Sequence, residues 1–142
     1  MSEYFEANHW TELKLSEAAE WESIAPNFDP KEIASKGDGS IKIRKESLKR
    51  LQTLRHLYGK PLILTSAYRD PNHNRRVGGA TNSQHVAGRA FDIVIRSTEM
   101  GRELERLAKE VGFTAIGRYK NFIHVDDRAP KANGGGYRWG SW

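Results

Sequence analysis

The chain has 142 residues, the size of one ordinary domain, and contains no cysteine. Disulfides and thiolate ligands are therefore excluded, and any metal ion must be held by His, Asp or Glu. Lys and Arg number 23 against 18 Asp and Glu, and the net charge of +5 fits either simple solubility or a polyanionic partner such as a bacterial envelope. Because the basic residues are scattered and form no run, we expect no nucleic-acid partner.

The N-terminal segment and the hydropathy of the chain bear on where the protein is made. The first eight residues carry no basic region followed by an apolar core, and no stretch approaches the length of a membrane span. We therefore expect synthesis in a cytoplasm without a signal peptide, and no stable membrane insertion. We also expect a monomer.

The first half of the chain predicts three helices and one strand. Residues 1–26 are interpreted as an N-terminal extension, and residues 27–142 as the core of a single domain. Asp29 followed by Pro30 has the pattern of a helix N-cap and first position, and a leucine repeat ended by Gly59 gives another helix an apolar face. The predicted helices cover about Ser16–Trp21, Pro30–Ala34 and Lys45–Tyr58, and the apolar run Leu62–Thr65 is predicted to be a buried strand.

The second half predicts a long loop and then strands around one helix. Residues 69–83 are rich in Gly, Asn and Arg, and a loop of that length in a small domain is often functional. Ser97 or Thr98 caps a helix with an apolar stripe, and a turn is predicted near Gly117. Strands are predicted at Ala90–Ile95, Phe113–Ile116 and Phe122–Asp126, with an edge strand after the glycine-rich loop at 133–139. This order predicts an α+β fold built on an antiparallel sheet flanked by helices.

Two histidines and one aspartate stand out as candidate metal ligands. Asp92 sits in the middle of an apolar strand, where an unpaired carboxylate is costly and needs a cation or several donors. His85 lies just before this strand, and His124 lies within another apolar strand. Either histidine alone is compatible with an ordinary core residue or with chance spacing, but the three together favour a metal site. Two imidazoles and one carboxylate are a complete protein ligand set for a catalytic zinc ion, which leaves its fourth position to water.

Strand alternation places these candidates on one side of the sheet. Asp92 points away from the apolar side chains of its own strand, and His124 shares a face with Asp126. Gly88 permits a tight turn that brings His85 to Asp92. A zinc site of this kind predicts a hydrolase.

The segments around these residues resemble the zinc D-Ala-D-Ala peptidase family of the M15 type. That family has the hedgehog/DD-peptidase fold and includes D-Ala-D-Ala carboxypeptidases, D-Ala-D-Ala dipeptidases and phage endolysins. The resemblance runs from about Phe28 to Trp139. It rests on Ser83-x-His85-x-x-Gly88-x-Ala90-x-Asp92, on Phe122-Ile123-His124-Val125-Asp126, and on the upstream segments Thr65–Pro71 and His73–Ala80.

This resemblance implies a hydrolase that acts on short peptides of bacterial peptidoglycan. It implies one zinc ion, with the ligands His85, Asp92 and His124. It also implies that the Arg69 guanidinium helps to stabilise the developing oxyanion. The implied substrate-binding residues are Tyr68, Ser83 and Gln84.

The chain departs from the family pattern three residues before the second histidine. Many members carry Glu or Asp there as the catalytic base, whereas this chain has Asn121, which cannot take a proton from water. The nearest carboxylate on the same face is Asp126, two residues after His124. We predict that Asp126 is either the base or the partner that orients a ligand histidine.

The predicted function is that of a zinc metallopeptidase that cleaves peptidoglycan stem peptides or crosslinks at the bacterial cell wall or periplasm. Small size, no separate wall-binding domain and a positive charge favour a phage or prophage endolysin. Two alternatives stay open: a bacterial D-Ala-D-Ala carboxypeptidase, and a non-catalytic zinc-binding interaction domain, which the missing acid at Asn121 keeps open. Of Tyr137, Trp139 and Trp142, we expect two to close the core and one to line the substrate groove.

Overall fold

A five-stranded sheet carries the architecture of the molecule. The structure, a computed structural model, describes residues 2–142. Its strands are β1 (Tyr4–Ala7), β2 (Ile41–Arg44), β3 (Leu64–Ser66), β4 (Ala90–Val94), β5 (Ala115–Arg118), β6 (Phe122–Asp126) and β7 (Tyr137–Gly140). Strands β1 and β2 form a separate antiparallel pair, and the main sheet has the order β3-β4-β6-β5-β7. Its neighbouring strands are antiparallel except β5 and β7, which are parallel.

Five α-helices accompany the two sheets. They are α1 (Leu15–Ile24), α2 (Pro30–Ile33), α3 (Lys45–Tyr58), α4 (Pro71–Arg76) and α5 (Thr98–Glu110), with a short 3₁₀ turn at Trp10–Glu12. Helix α5 packs against β6 and against α3. Within residues 2–142, every helix is too short or too polar to cross a membrane.

Alternation along the central strands divides the sheet into an apolar face and a polar face. Phe91 and Ile93 of β4 are fully buried, as are Ile123 and Val125 of β6, and they pack in one core with the apolar side of α5. The residues between them point to the other face, because successive side chains of a strand point in opposite directions. That polar face carries the candidate site.

The N-terminal segment contributes to the same core. Phe5 of β1 and Trp21 of α1 are buried in it, and their rings lie 5.0 Å apart between centroids. The indole N–H of Trp21 donates to the carbonyl of Phe28 at 2.7 Å. The division of the chain at residue 26 stays a prediction, and Met1 lies outside the described residues.

Most of the predicted elements are confirmed, and so is the α+β fold class. Helix α3 and strand β6 have the predicted bounds. Helix α2 begins as predicted, with the Asp29 side chain as N-cap within a full capping box, and Ser97 caps α5. Gly59 ends α3 with a φ of 76°, the left-handed conformation that glycine adopts without strain.

The long loop predicted at residues 69–83 contains a helix instead, so that prediction is wrong in part. The Asp70 carboxylate accepts a hydrogen bond from the backbone N–H of His73 at 3.0 Å, and Pro71 occupies the first helical position of α4. This Asp-Pro pair is the same signal that correctly predicted α2. The short, polar helix lacks an apolar stripe, so periodicity gave no indication of it.

Three further differences concern the edges of the sheet. The strand predicted at Leu62–Thr65 begins two residues later as the edge strand β3, and it is not buried as predicted: Thr65 is exposed, and Ile63, just before the strand, is 52% exposed. Gly117 lies inside β5, so the predicted turn there is wrong and the chain turns after Arg118 instead. An edge strand exists near the C-terminus as β7, but it begins at Tyr137, inside the segment predicted to be a loop, and it runs parallel to its neighbour.

A buried glutamate fastens the C-terminal strand to helix α5. The Glu105 carboxylate accepts two hydrogen bonds from Arg118 at 2.7 Å each, and Arg138 of β7 lies 3.4 Å away. Lys109 and the indole of Trp142 add contacts at 3.1 Å each. Hydrogen bonds from Arg118, opposed by burial and reinforced by the other donors, lower the pKa of Glu105 to about 2.

This ion network predicts an acid-sensitive contribution to stability. The pKa of Glu105 is lower in the folded chain than in the unfolded chain, so its contribution is complete above the unfolded pKa of about 4.5 and is lost as pH falls towards about 2. We expect Glu105→Gln to lower the free energy of unfolding by about 2 kcal/mol at pH 7, and by progressively less below pH 5. Urea denaturation of both proteins across this pH range measures the difference. Glu103→Gln, an exposed site on the same helix, serves as the control, and a pH-independent loss in Glu105→Gln would contradict the assignment.

Candidate active site

The candidate site is a row of side chains that crosses the polar face of the sheet. In the strand register, Asp92 of β4 pairs with His124 of β6, His124 pairs with Gly117 of β5, and Gly117 pairs with Trp139 of β7. Residues paired in register on one face lie side by side. The sheet therefore places the side chains of Asp92, His124 and Trp139 in one row. Gly117, which has no side chain, lies between His124 and Trp139.

The glycine in this row lets the indole reach the imidazole. A Cβ atom built on Gly117 would lie 2.6 Å from the Trp139 ring, closer than side chains tolerate. The Trp139 ring thus lies over the glycine, with its centroid 5.3 Å from that of His124.

The second histidine reaches the row through a tight turn. Gly88 has a φ of 72°, and a Cβ atom there would lie 2.3 Å from the backbone oxygen of Lys42, so the predicted need for glycine at this turn is confirmed. The backbone N–H of Arg69 donates to the carbonyl of His85 at 3.2 Å, which ties the turn to the end of β3.

The structure brings the three predicted metal ligands together. One ligand atom from each of His85, Asp92 and His124 lies within 4.8 Å of the others. The Asp92 Oδ1 atom is 3.2 Å from His85 Nε2 and 2.8 Å from His124 Nδ1. Within residues 2–142 this is the one group of His, Asp and Glu side chains close enough to share an ion.

The hydrogen bonds of the two imidazoles fit a metal site. His85 Nδ1 donates to the carbonyl of Ala67 at 2.6 Å, and His124 Nε2 donates to the Asp126 carboxylate at 2.6 Å. In a neutral imidazole, the nitrogen that does not carry the proton keeps a lone pair for a metal. Both lone pairs therefore belong to the nitrogens that face Asp92. Two imidazole nitrogens and one carboxylate suit a tetrahedral zinc ion with one open position.

Asp126 lies beyond His124, where it is fully buried. Its two oxygens accept hydrogen bonds from Arg128 Nε at 2.8 Å and Nη2 at 2.7 Å. Burial alone would raise the pKa of the Asp126 carboxyl, but the hydrogen bonds from Arg128 and His124 outweigh it and lower that pKa to about 2. The Asp126 carboxylate is thus ionised, and each of its oxygens already accepts a hydrogen bond from Arg128 or His124.

Arg69 approaches the cluster from the opposite side. Its Nη2 donates to Asp92 Oδ2 at 3.4 Å, its Nε donates to Ser66 Oγ at 3.0 Å, and its Nη1 donates to Asn74 Oδ1 at 3.3 Å. These three contacts hold the guanidinium beside the metal ligands. Asn74 belongs to α4, so the helix that periodicity missed supports Arg69.

A cleft of about 330 Å³ opens over the cluster. Both histidines and Asp92 line it, as do Arg69 and Arg128. An aromatic wall, defined as Tyr119, Phe122 and Trp139, closes one side. Tyr119 and Phe122 stack at 4.2 Å between ring centroids, and the Trp139 indole donates to the Tyr119 hydroxyl at 2.9 Å.

The predicted substrate-binding residues divide into two groups. Ser83 and Gln84 line the cleft, and Ser83 Oγ also accepts the backbone N–H of His85 at 3.1 Å. Tyr68 does not line it and faces a separate hollow with Asp38 and Asp70. Asn121 is exposed outside the cleft, and its carbonyl accepts the N–H of Ile95 at 3.0 Å.

Sequence reasoning missed Arg128 and Tyr119 as cleft residues. Tyr119 lies one position after β5 and Arg128 lies two positions after β6, where the alternation argument no longer fixes a direction. The spacing Asp126-x-Arg128 was the available signal for an ion pair, since side chains two apart can share one face. Trp139 is the residue of the C-terminal trio that reaches the cleft, whereas Trp142 packs on Gly101 of α5.

The contact between Asp126 and His124 predicts an effect on metal affinity. Asp126→Asn removes the charge that fixes the His124 tautomer, and we expect zinc affinity to fall about 10- to 100-fold. Competition with a chromophoric chelator measures this affinity. Asp29→Asn is the matched control, because asparagine caps a helix as well as aspartate does and this site is exposed. Unchanged zinc affinity in Asp126→Asn would show that the contact does not tune the site.

Comparisons with known proteins agree with the geometry. The family model described as Peptidase M15 matches residues 13–126, most of the chain. The chain is also 38% identical over 68 residues to a zinc D-Ala-D-Ala carboxypeptidase from Streptomyces albus G. That match covers 47% of this chain and 26% of the relative, so the chain spans only part of the length of that protein. The chain belongs to the peptidase M15 family.

Proposed function

We propose that the protein is a zinc metallopeptidase that hydrolyses peptide bonds in bacterial peptidoglycan stem peptides or crosslinks. The observation that carries this proposal is the His85, Asp92 and His124 cluster at the base of a cleft. Family membership supports peptidase activity, and the partial relative named a zinc D-Ala-D-Ala carboxypeptidase supports zinc and a wall peptide as substrate. Within this class we favour a phage or prophage endolysin, which acts at the cell wall.

The residues of the cleft have distinct proposed tasks. Zinc, when bound by the cluster, supplies a Lewis acid and lowers the pKa of its water to around 7. Arg69, held by three hydrogen bonds beside Asp92, donates to the oxyanion that develops on the scissile carbonyl. Ser83 and Gln84, which also line the cleft, contact the substrate, and the aromatic wall excludes water from one side of the peptide.

We propose that Asp126 orients His124 and does not act as the catalytic base. Both of its oxygens are engaged by Arg128 and His124, and it lies behind the imidazole ring and not among the residues that line the cleft. A carboxylate with a pKa of about 2 is also a weak acceptor for a proton from water. Among the described residues that line the cleft, Asp92 is the one carboxylate.

This shortage of carboxylates favours a second candidate function, a non-catalytic zinc-binding domain that holds a wall peptide without cleaving it. The third candidate, a bacterial D-Ala-D-Ala carboxypeptidase, shares the same site and differs only in the bond cleaved. The name of the partial relative supports this third candidate.

Digestion of purified peptidoglycan tests the proposal. We expect the zinc-loaded protein to release new amino termini, and a chelator to abolish the release. His124→Ala should lose activity by about 100-fold or more because it removes a metal ligand. His56→Ala, an exposed histidine on α3, should retain it. Mass spectrometry of the fragments identifies the bond and separates a crosslink endopeptidase from a carboxypeptidase.

The same experiment distinguishes the candidates. A protein that binds zinc tightly but releases no amino termini at any zinc load would refute the peptidase proposal and support the binding domain. Loss of a single C-terminal D-Ala, with no other cleavage, would support the carboxypeptidase.

A second prediction concerns the arginine beside the metal ligands. We expect Arg69→Ala to lower kcat by about 100-fold with a smaller change in KM, since the interaction strengthens as the oxyanion forms. Arg69→Lys should recover little, because an ammonium cannot reproduce the three directed contacts of the guanidinium.

Arg76→Ala, an exposed arginine on α4, is the control and should behave as wild type. Zinc content is measured alongside, because Arg69 contacts the ligand Asp92. Full turnover in Arg69→Ala with zinc bound would exclude the proposed role.

A further inference from the structure

Arg128 presents an unused edge to the cleft. Its Nε and Nη2 atoms donate to Asp126, whereas its Nη1 atom has no hydrogen-bond partner among residues 2–142. Across the same residues, no buried side-chain nitrogen lacks a partner, so Nη1 is reachable by solvent. The side chain is 29% exposed and lines the cleft.

The position of this guanidinium is fixed by its surroundings. Its central carbon lies 5.2 Å from the centroid of the Tyr137 ring and 5.3 Å from that of the Trp139 ring. Two hydrogen bonds to a fully buried carboxylate hold the other edge. A guanidinium held in this way loses little freedom when its remaining edge binds a ligand.

The two arginines of the cleft, Arg69 and Arg128, differ in how many of their guanidinium nitrogens have a hydrogen-bond acceptor in the protein. Each of the three nitrogens of Arg69 has an acceptor in the protein. Arg128 keeps one nitrogen without an acceptor, and its partner Asp126 is shared with His124. The charge of Arg128 is therefore incompletely neutralised, and the cleft offers it no competing carboxylate except Asp92 on the far side of His124.

We infer that Arg128 is a binding residue for a carboxylate of the substrate. The ligand is a peptide with a free carboxylate near the scissile bond, on the side of the cleft that the aromatic wall closes. A guanidinium edge and a carboxylate form directed, charge-assisted hydrogen bonds, and the flanking rings lower the local dielectric and strengthen them. This inference rests on the proposed peptidase function and narrows its substrates to acidic peptides.

Three forms of one stem peptide, L-Ala-γ-D-Glu-L-Lys-D-Ala-D-Ala, test the inference. One form keeps both carboxylates, one has the D-Glu carboxylate amidated, and one has the C-terminal carboxylate amidated. We expect the wild-type protein to lose about 10- to 100-fold in kcat/KM with one of the amidated forms, the usual effect of removing a charged hydrogen-bond partner. In Arg128→Gln the acid and amide forms should differ by less than about threefold.

Arg76→Gln, the same substitution at an exposed arginine on α4, is the control variant. It should cleave all three peptides as the wild-type protein does and preserve the preference for the acid. Equal cleavage of the three peptides by the wild-type protein would overturn the inference and leave the peptidase proposal intact. A full preference retained in Arg128→Gln would also overturn it.

Binding to the metal-free protein gives a readout that does not depend on cleavage. By calorimetry, the peptide with both carboxylates should bind the wild-type protein about tenfold more tightly than Arg128→Gln. Equal affinities would overturn the inference. If no peptide is cleaved but this difference is found, the peptidase proposal fails and the carboxylate site stands.

Discussion

The register between β4 and β6 is the constraint on which the whole site depends. It sets Asp92 beside His124 and, at the same time, sets Phe91 opposite Val125 and Ile93 opposite Ile123 on the other face. A shift of one residue would send every side chain to the wrong face, so that charged groups enter the core and apolar groups meet water. Burial of those four apolar side chains therefore also fixes the positions of the candidate metal ligands Asp92 and His124. The hydrophobic core and the candidate site lie on opposite faces of the same strand pair.

The consecutive residues Asp126 and Asp127, at the end of β6, also point to opposite sides of the sheet. Asp126 faces His124 and Arg128, whereas Asp127 faces α3. The Asp127 carboxylate accepts a hydrogen bond from Ser47 Oγ at 2.7 Å and lies 3.2 Å from Arg50 Nη1. Arg89, just before β4, also donates to Asp127 at 2.9 Å. Buried carboxylates are costly unless they are paired and hydrogen-bonded, and both of these are. The end of β6 is thus hydrogen-bonded to α3 on one side, through Asp127, and to the candidate metal ligand His124 on the other, through Asp126.

The sequence predicted an element well where a periodic pattern of apolar residues ran through it, and poorly where there was no such pattern. Strand alternation placed Asp92 and His124 on one face, and the leucine repeat predicted α3 at its observed bounds. The short helix α4 has no such pattern, and its support of Arg69 through Asn74 was therefore invisible. The parallel pairing of β7 depends on contacts distant in sequence, including the Glu105 network with Arg138. No local pattern encodes those contacts.

Single residues next to strand ends were the hardest to place, as Tyr68 and Arg128 show. Tyr68 was predicted to bind substrate from its neighbourhood in a motif, but it lies two residues past the end of β3 and faces a different hollow. Arg128 was not singled out, because two residues past the end of β6 its direction is set by the bond to Asp126 and not by the strand.

The charges of the cleft argue for an anionic substrate more strongly than the overall charge of the chain does. Two guanidinium groups flank a cluster whose single lining carboxylate, Asp92, is itself a candidate metal ligand. A divalent ion in that cluster would make the cleft more positive still, because the carboxylate that faces it offsets only half of the added charge. A neutral or cationic peptide would gain nothing from this field, whereas a carboxylate placed between Arg128 and the metal ligands would be held by it. The same field also favours a developing oxyanion near Arg69. Under the proposed function, selection of an acidic substrate and stabilisation of the developing negative charge would therefore both depend on the positive charge of this cleft.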